Sequence, residues 1–324
     1  MKHAELLRIK CLSRWPLRRG RRRFARLLNV TCNDIPDGEL VSSQPLGLCF
    51  RTHPDDVYFD LSYFKEYERF ETELMLKLLR PGDSVFDVGA NFGWFSLHAL
   101  KSDPQRHVWA FEPQTELCEE IRSNTALNHL EMLVDQKLHI INLAVGSNRG
   151  KLTLNKLKSA SHALTTSFAK AEQIESTFTV PIRPLDEILM EMPENQWPAF
   201  VKCDVEGAEM EVLRGSHKLC SSPSKPVWLL EINLETSGCA GWVPADMIAF
   251  LEEHGYTDFF FLSHAHRPRL VRSRKRPVDV RLQRNGNIVA LDRDAHSWQM
   301  QAIISRRPKQ GRISPKFIVD RTSR

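Results

Sequence analysis

Between residues 84 and 254, short apolar segments alternate with helical patterns, and this alternation constrains the fold more than any other feature of the chain. Apolar runs of about four to eight residues between helices are typical of strands buried on both faces, as in a parallel sheet. The pattern therefore predicts an α/β fold with a doubly wound sheet. We predict strands at 84–88, 107–111, 138–143, 198–203 and 226–232, and helices near 93–101, 114–127, 207–214 and 244–254.

Other segments flank or interrupt this alternation. An amphipathic helix with Phe70, Leu74 and Leu78 on one face ends at Pro81-Gly82. The stretch 146–182 contains two β-like pieces, near 151–155 and 177–182, and we interpret it as a lid or substrate loop. Apolar runs at 256–262 and 286–291 predict a closing hairpin.

These segments predict three parts of the chain. A basic N-terminal arm and lead-in occupy 1–64, the main domain 65–263, and a basic closing strand and tail 264–324. Residues 1–30 hold ten Lys/Arg and one acid, and 264–324 hold sixteen and four, so the middle is acidic although the net charge is +5. The ends could contact nucleic acid or an anionic membrane, or pack on the acidic middle. We favour solvated charge and expect no nucleic-acid partner, because charged runs usually have no dedicated partner.

Composition excludes several classes of protein. No apolar run approaches the length that spans a bilayer, so we expect no membrane span. The seven cysteines are widely spaced and form no CxxC pair, which indicates neither a disulfide framework nor a zinc ribbon. The N-terminus lacks the apolar stretch of a secretory signal, and we expect a reducing, cytoplasmic location.

The sequence VFDVGANFG at 85–93 runs from a predicted strand through a glycine turn to a helix start. Gly89 and Gly93 have no side chains, and a helix start offers N–H groups, so a polar ligand can approach the backbone there. Asn91 replaces the second glycine of the dinucleotide fingerprint. We expect Asp87 to direct its carboxylate at the ligand, which favours a ligand with a cationic group over a pyrophosphate.

The second strand ends at Glu112, about 20 residues past the turn, where acids hold ribose hydroxyls in such folds. The turn and the acid together indicate an adenosine-containing cofactor. The fourth strand ends in VKCDVEGAE at 201–209, beside the expected switch point of the sheet. Lys202 and Asp204 share a face of that strand, and such charges are costly to bury unless paired or used. Acids at Glu206 and Glu209 also suit a helix start.

The motifs DVGAN at 87–91, FEP at 111–113 and KCDVEGAE at 202–209 resemble those of the FkbM-type family of S-adenosylmethionine-dependent methyltransferases. The resemblance spans about 66–262 and includes Glu231-Ile232 on the fifth strand. It implies a Rossmann-like methyltransferase sheet of seven strands with an antiparallel closing pair. It also implies S-adenosylmethionine as cofactor and O-methylation of a sugar or natural-product-like small molecule. The implied cofactor residues are Asp87, Gly89, Ala90, Asn91 and Gly93 at the methionine part, Glu112 at the ribose, and Asn142 and Ala144 near the adenine.

Methylation of an alcohol requires a group that accepts the hydroxyl proton. Asp204 is the first candidate base and Glu206 the second. The charge of Lys202 can influence the ionisation of both carboxyl groups. His162 in the insertion is a third candidate. We expect no metal site, because His264 and His266 lack a third ligand in the sequence.

Two other functions compete with methyl transfer. A nicotinamide oxidoreductase would have glycine at Asn91 and a hydride-transfer constellation, which the sequence lacks. A degenerate cofactor fold could serve as a scaffold or anion-binding module through its basic ends. The presence of Asp87, Glu112 and Asp204 argues against degeneration.

Overall fold

The computed structural model describes residues 21–54, 56–65, 67–157, 165–166, 174–263, 270–273 and 285–304. Its strands in chain order are β1 (Leu40–Ser42), β2 (Cys49–Arg51), β3 (Ser84–Val88), β4 (Val108–Phe111), β5 (Leu138–Ile141), β6 (Ala144–Val145), β7 (Gly150–Leu157), β8 (Thr165–Thr166), β9 (Ile174–Arg183), β10 (Pro198–Cys203), β11 (Val227–Ile232), β12 (Asp258–Ser263), β13 (Leu270–Ser273) and β14 (Gly286–Leu291).

The main sheet has eight strands in the order β13-β12-β14-β11-β10-β3-β4-β5. From β11 to β5 the pairs are parallel, whereas β11/β14, β14/β12 and β12/β13 are antiparallel. The five predicted parallel strands and the antiparallel closing pair are therefore confirmed. The expected count of seven strands is wrong, because β13 adds an eighth strand at the edge. The third parallel strand ends at Ile141, earlier than predicted, and the residues Ala144–Val145 that follow shortly after pair in a different sheet.

The order of the strands along the chain reverses between β3 and β10, at the centre of the sheet. In open α/β sheets, ligands bind outside the carboxyl ends of the strands at such a reversal. The segments that follow β3, β4, β10 and β11 all emerge at this edge. The fold thus gathers the three sequence motifs around one crevice.

Helices cover both faces of the sheet, as the strand–helix alternation predicts. Alternate residues of β10 enter two different apolar clusters, with Phe200 on one face and Val201 on the other. Leu74 and Leu97 pack in the first cluster, and Leu213 and Leu251 in the second. The helices are α1 (Arg21–Leu27), α2 (Asp56–Phe64), α3 (Arg69–Leu78), α4 (Trp94–Ser102), α5 (Thr115–Leu127), α6 (Leu185–Leu189), α7 (Glu209–Arg214), α8 (His217–Ser221), α9 (Leu234–Cys239), α10 (Pro244–Glu253) and α11 (Ser297–Ile304).

The lead-in before α3 packs on the first cluster. The ring of Phe50 in β2 stacks on Trp94 with 5.1 Å between centroids and meets Phe92 edge-on at 5.5 Å. The Asn128 side chain accepts from the backbone N–H of Cys49 and donates to its carbonyl, both at 2.8 Å. The lead-in therefore shares a core with the sheet.

The stretch between β5 and α6 forms a second, smaller sheet in the order β6-β9-β7-β8. Strands β7 and β9 pair antiparallel and contain the two predicted β-like pieces. Ala144, Leu154 and Val180 form a small apolar cluster between them. Strand β7 also supplies Leu152 and Leu154 to the pocket at the carboxyl edge of the main sheet.

Some predicted features lie outside the described residues: the first 20 residues of the basic arm, His162, and the pair His264 and His266. Within the described ranges, no helix combines the length and apolar character needed to cross a membrane.

Candidate active site

A pocket of about 190 Å³ opens at the carboxyl ends of β3, β4, β10 and β11. Most of the predicted site residues line it, and the segment before α3, the start of α4 and strand β7 complete its walls. The lining residues are Tyr67, Glu68, Val88, Gly89, Ala90, Asn91, Phe92, Trp94, Phe95, Phe111, Glu112, Pro113, Leu143, Ala144, Val145, Leu152, Leu154, Lys202, Asp204, Val205, Glu206, Ala208 and Glu231.

The glycine turn after β3 lies on the pocket floor. Gly89 has a φ of +79°, and a Cβ atom there would overlap the backbone oxygen of Asp204. Gly93 has a φ of +88°, and a Cβ atom would press on Ile121 at 3.2 Å. Both glycines therefore permit close packing within the protein, and the approach of a ligand to this backbone stays a prediction. Of the two, only Gly89 also lines the pocket.

Asp87 does not lie on the pocket surface, and the expectation that its carboxylate points at the ligand is wrong. Its side chain is fully buried, and Oδ2 accepts hydrogen bonds from the backbone N–H of Ser96 at 2.9 Å and its hydroxyl at 2.7 Å. Ser96 lies in the first turn of α4, where backbone N–H groups lack helical partners. Asp87 thus fixes α4 against the end of β3.

Glu112 lies between the glycine turn and the end of β4. Its Oε2 accepts from the backbone N–H of Asn91 at 2.8 Å, and Oε1 accepts from that of Gln114 at 3.0 Å. Burial raises the pKa of Glu112 to about 7, although both amides favour its ionised form. The predicted ribose acid is therefore held rigidly at the pocket wall.

The two residues expected near an adenine lie on different surfaces. Ala144 lines the pocket, whereas Asn142 faces a neighbouring cavity of about 650 Å³. The Asn142 side chain donates to the carbonyls of Glu112 and Pro113 and accepts from the Thr115 hydroxyl, each at 3.0 Å. Asn142 therefore ties the ends of β5 and β4 together, and an adenine contact for it stays a prediction.

Lys202 and Asp204 form an ion pair at the end of β10, as their spacing suggested. The Lys202 Nζ lies 3.2 Å from Asp204 Oδ2 and donates to the Gly89 carbonyl at 3.3 Å. It also lies 5.0 Å from the ring centroid of Phe95. Burial alone would lower the pKa of Lys202, but the carboxylates of Asp204 and Asp87 outweigh it and raise that pKa. The ammonium group therefore stays charged inside the protein.

The turn between β10 and α7 brings two more carboxylates to the site. Glu206 lines the pocket with a left-handed φ of +52°. Glu209 is buried beneath the turn, where Oε1 accepts from the backbone N–H of Val205 at 3.0 Å and Oε2 from that of Gly207 at 3.1 Å. Glu209 therefore stabilises the turn. Of these two glutamates, only Glu206 lines the pocket.

Besides Glu112, three glutamates that line the pocket have raised pKa values. Burial, with repulsion from Asp204 added, raises the pKa of both Glu68 and Glu206 to about 8. The pKa of Glu231 is raised well above its ordinary value by burial and then by Asp204 and Glu206. The pocket therefore has more acidic groups than its one ammonium group can neutralise.

Sequence reasoning missed several residues of this site. Glu231 ends the fifth strand as Glu112 ends the second, so the same argument could have given it a role. Tyr67 and Glu68 precede α3, where no motif signals a site. The carboxylate oxygens of Asp204, Glu209 and Glu231 lie within 4.8 Å of one another, which makes them the metal-ligand candidates among the described residues.

The model of the methyltransferase FkbM domain matches residues 87–257, more than half of the chain. The chain belongs to the FkbM methyltransferase family. The resemblance of its three motifs is thereby confirmed. Every predicted site residue, from Asp87 to Glu206, lies within the matched segment.

Two curated methyltransferases are similar in sequence to parts of this FkbM-family chain. It is 30% identical over 149 residues to methyltransferase 1 of Beauveria bassiana (strain ARSEF 2860), which covers 42% of this chain and 59% of that protein. It is 47% identical over 58 residues to the 31-O-demethyl-FK506 methyltransferase FkbM of Streptomyces tacrolimicus. That match covers 18% of this chain and 22% of the relative. The chain thus spans less than two thirds of either relative. A crystal structure of methyltransferase FkbM from Methylobacillus flagellatus KT aligns with a TM-score of 0.42 and 15% identity, over 88% of this chain and 58% of that one.

Proposed function

We propose that this FkbM-family chain transfers a methyl group from S-adenosylmethionine to a hydroxyl group of a sugar or natural-product-like small molecule. One observation carries the proposal: the glycine-turn backbone, Glu112 and Asp204 all line one pocket. They lie at the ends of three adjacent parallel strands. Family membership supports methyl transfer. The name of the Streptomyces relative supports an oxygen acceptor.

The donor and acceptor groups of the pocket fit this cofactor. A carboxylate oxygen has two lone-pair directions, so Glu112 can accept from ribose hydroxyls while it keeps its bonds to the amides of Asn91 and Gln114. The carboxylate of Asp204 gives the pocket the negative charge that suits a sulfonium cation. When bound, the cofactor supplies a methyl group that is already activated for transfer.

The chain's own task is to position the acceptor and to take its proton. Asp204 lines the pocket with its side chain 22% exposed, so an acceptor hydroxyl can reach it. Lys202 connects Asp204 to the Gly89 carbonyl and thereby fixes the base relative to the glycine turn. Positioning of this kind can supply roughly 7–11 kcal/mol of a reaction barrier. Glu206 is assigned to acceptor binding.

The proposal is tested with the purified full-length chain and methyl-labelled S-adenosylmethionine. Extracts of sugars and small metabolites serve as acceptors, and we expect label in a base-stable ether product. Calorimetry with S-adenosylhomocysteine measures cofactor binding separately. A protein that binds neither compound would contradict the proposed function and leave the scaffold alternative.

A further inference from the structure

Glu231 lies beside the proposed base. Cys203 of β10 pairs with Leu230 of β11 in the parallel register, so the next residues, Asp204 and Glu231, emerge side by side at the carboxyl edge. Both line the pocket, and their carboxylate oxygens lie within 4.8 Å of each other. Two carboxylates this close disfavour being ionised together, so the pair tends to hold one proton.

No cation neutralises Glu231 among the described residues. Its Oε2 is buried and has no hydrogen-bond partner in that part of the chain. The Lys202 ammonium group contacts Asp204 instead, at 3.2 Å. A buried carboxylate without a partner cation is costly in its ionised form.

The other titratable groups that face the pair from neighbouring segments are acids. Glu206 and Glu209 approach from the turn into α7, and Tyr67 and Glu68 face the pair from the segment before α3. On the far side, Glu231 pairs with Asn287 of β14, whose amide donates to Glu71 at 3.5 Å. This environment favours uptake of one proton by the pair.

We propose that Asp204 and Glu231 accept the acceptor's proton as a pair, with Asp204 as the group that touches the hydroxyl and Glu231 as its positioning, proton-sharing partner. The inference rests on the proposed function. As the acceptor oxygen bonds to the methyl carbon, the carbon–sulfur bond breaks with its electrons on sulfur. The pair first releases its resting proton to water. The hydroxyl proton then moves to Asp204 and is shared with Glu231, which restores the resting state. Two carboxylates that share a proton bind it more tightly than one alone, which makes the ionised pair a better base.

The observations favour a shared proton over a shared metal ion. Three carboxylates could ligate a divalent cation, but both oxygens of Glu209 already accept backbone N–H groups of the turn. Lys202 already supplies a cation to Asp204. A metal ion would therefore have to displace contacts that the protein makes itself.

Infrared titration of the full-length, ligand-free protein tests the pair directly, because a protonated carboxyl group has its own carbonyl band. Among the bands of the protonated carboxyl groups, which include those of Glu68, Glu112 and Glu206, we expect one with a raised midpoint that is lost in Glu231→Gln. In Asp204→Asn the midpoint of that band should fall by at least about one pH unit, since interacting carboxylates share their titration. Glu206→Gln and the exposed Glu235→Gln serve as controls, and both variants should retain this band.

Each of the following results would contradict the shared proton of Asp204 and Glu231. An unchanged midpoint in Asp204→Asn would mean that burial alone holds the proton on Glu231, and loss of the band only in Glu206→Gln would assign the proton to Glu206. Tight binding of Mn²⁺ to chelator-treated wild type, abolished in Glu231→Gln, would replace the proton with a metal ion. Binding of S-adenosylhomocysteine, measured on the same samples, reports separately on the proposed function.

Discussion

Gly89 and Asp204 are packed so closely that a Cβ atom on Gly89 would overlap the backbone oxygen of Asp204. The loop that follows β3 is thereby held against the segment that follows β10. Lys202 adds a second connection, because its Nζ contacts both the Gly89 carbonyl and the Asp204 carboxylate. The glycine turn and the proposed base therefore form one rigid unit.

The first prediction concerns this contact. Gly89→Ala should weaken S-adenosylhomocysteine binding at least about tenfold and lower stability, because both the positive φ and the overlap must be relieved. Calorimetry and thermal unfolding measure the two effects. Gly238→Ala is the matched control, since a Cβ atom there would meet nothing within 4 Å. Equal behaviour of the two variants would show that the loop contact has no role.

The second prediction separates binding from chemistry at the end of β10. Asp204→Asn keeps the size of the side chain but cannot accept a proton, so turnover should fall by about 10²-fold or more. Affinity for S-adenosylhomocysteine should change far less. Glu206→Gln should have a milder effect on turnover. Wild-type turnover in Asp204→Asn would exclude it as the base.

The third prediction concerns the stability of the buried ion pair. Lys202→Met leaves Asp204 without its cation and should lower the free energy of unfolding by about 3 kcal/mol. Arg214→Gln breaks the exposed pair with Glu211 and should cost less than about 1 kcal/mol. Denaturant unfolding measures both. Similar losses would mean that Lys202 contributes no more than a surface residue.

The fourth prediction is a fall in stability as pH rises through neutrality. The folded protein holds protons on Glu68 and Glu206 up to pKa values of about 8, whereas the unfolded chain releases them near the ordinary pKa of 4.5. Folding therefore binds protons, and the free energy of unfolding decreases as pH rises from about 4.5 to about 8. The unfolding temperature should fall by several degrees in that range. The double variant Glu68→Gln/Glu206→Gln should flatten the slope, and a stability that rises with pH would contradict the account.

Local patterns sufficed to predict the parallel sheet and the order of its motifs. Short apolar runs separated by helical periodicity have one common solution, a doubly wound sheet, and its carboxyl edge brings Glu112 and Asp204 together. Strand β13 was missed because its arginine-rich surroundings conceal a short strand.

The direction of individual side chains could not be predicted in the same way. Asp87 stands at a strand end like Glu112, yet the fold turns its carboxylate to Ser96 in α4. The neighbours of Gly89 and Gly93 come from distant segments, so the sequence shows the glycines but not what requires them. Tyr67 and Glu68 reach the pocket only through tertiary packing.

The central claim is that this pocket binds S-adenosylmethionine through Glu112, and calorimetry with S-adenosylhomocysteine tests it most directly. We expect wild type to bind one equivalent and Glu112→Gln to bind at least about tenfold more weakly, because an amide offers the ribose hydroxyls one acceptor oxygen instead of two. Glu119→Gln, an exposed change on α5, should bind like wild type. Equal affinity in Glu112→Gln and Glu119→Gln, or no binding by wild type, would contradict the account.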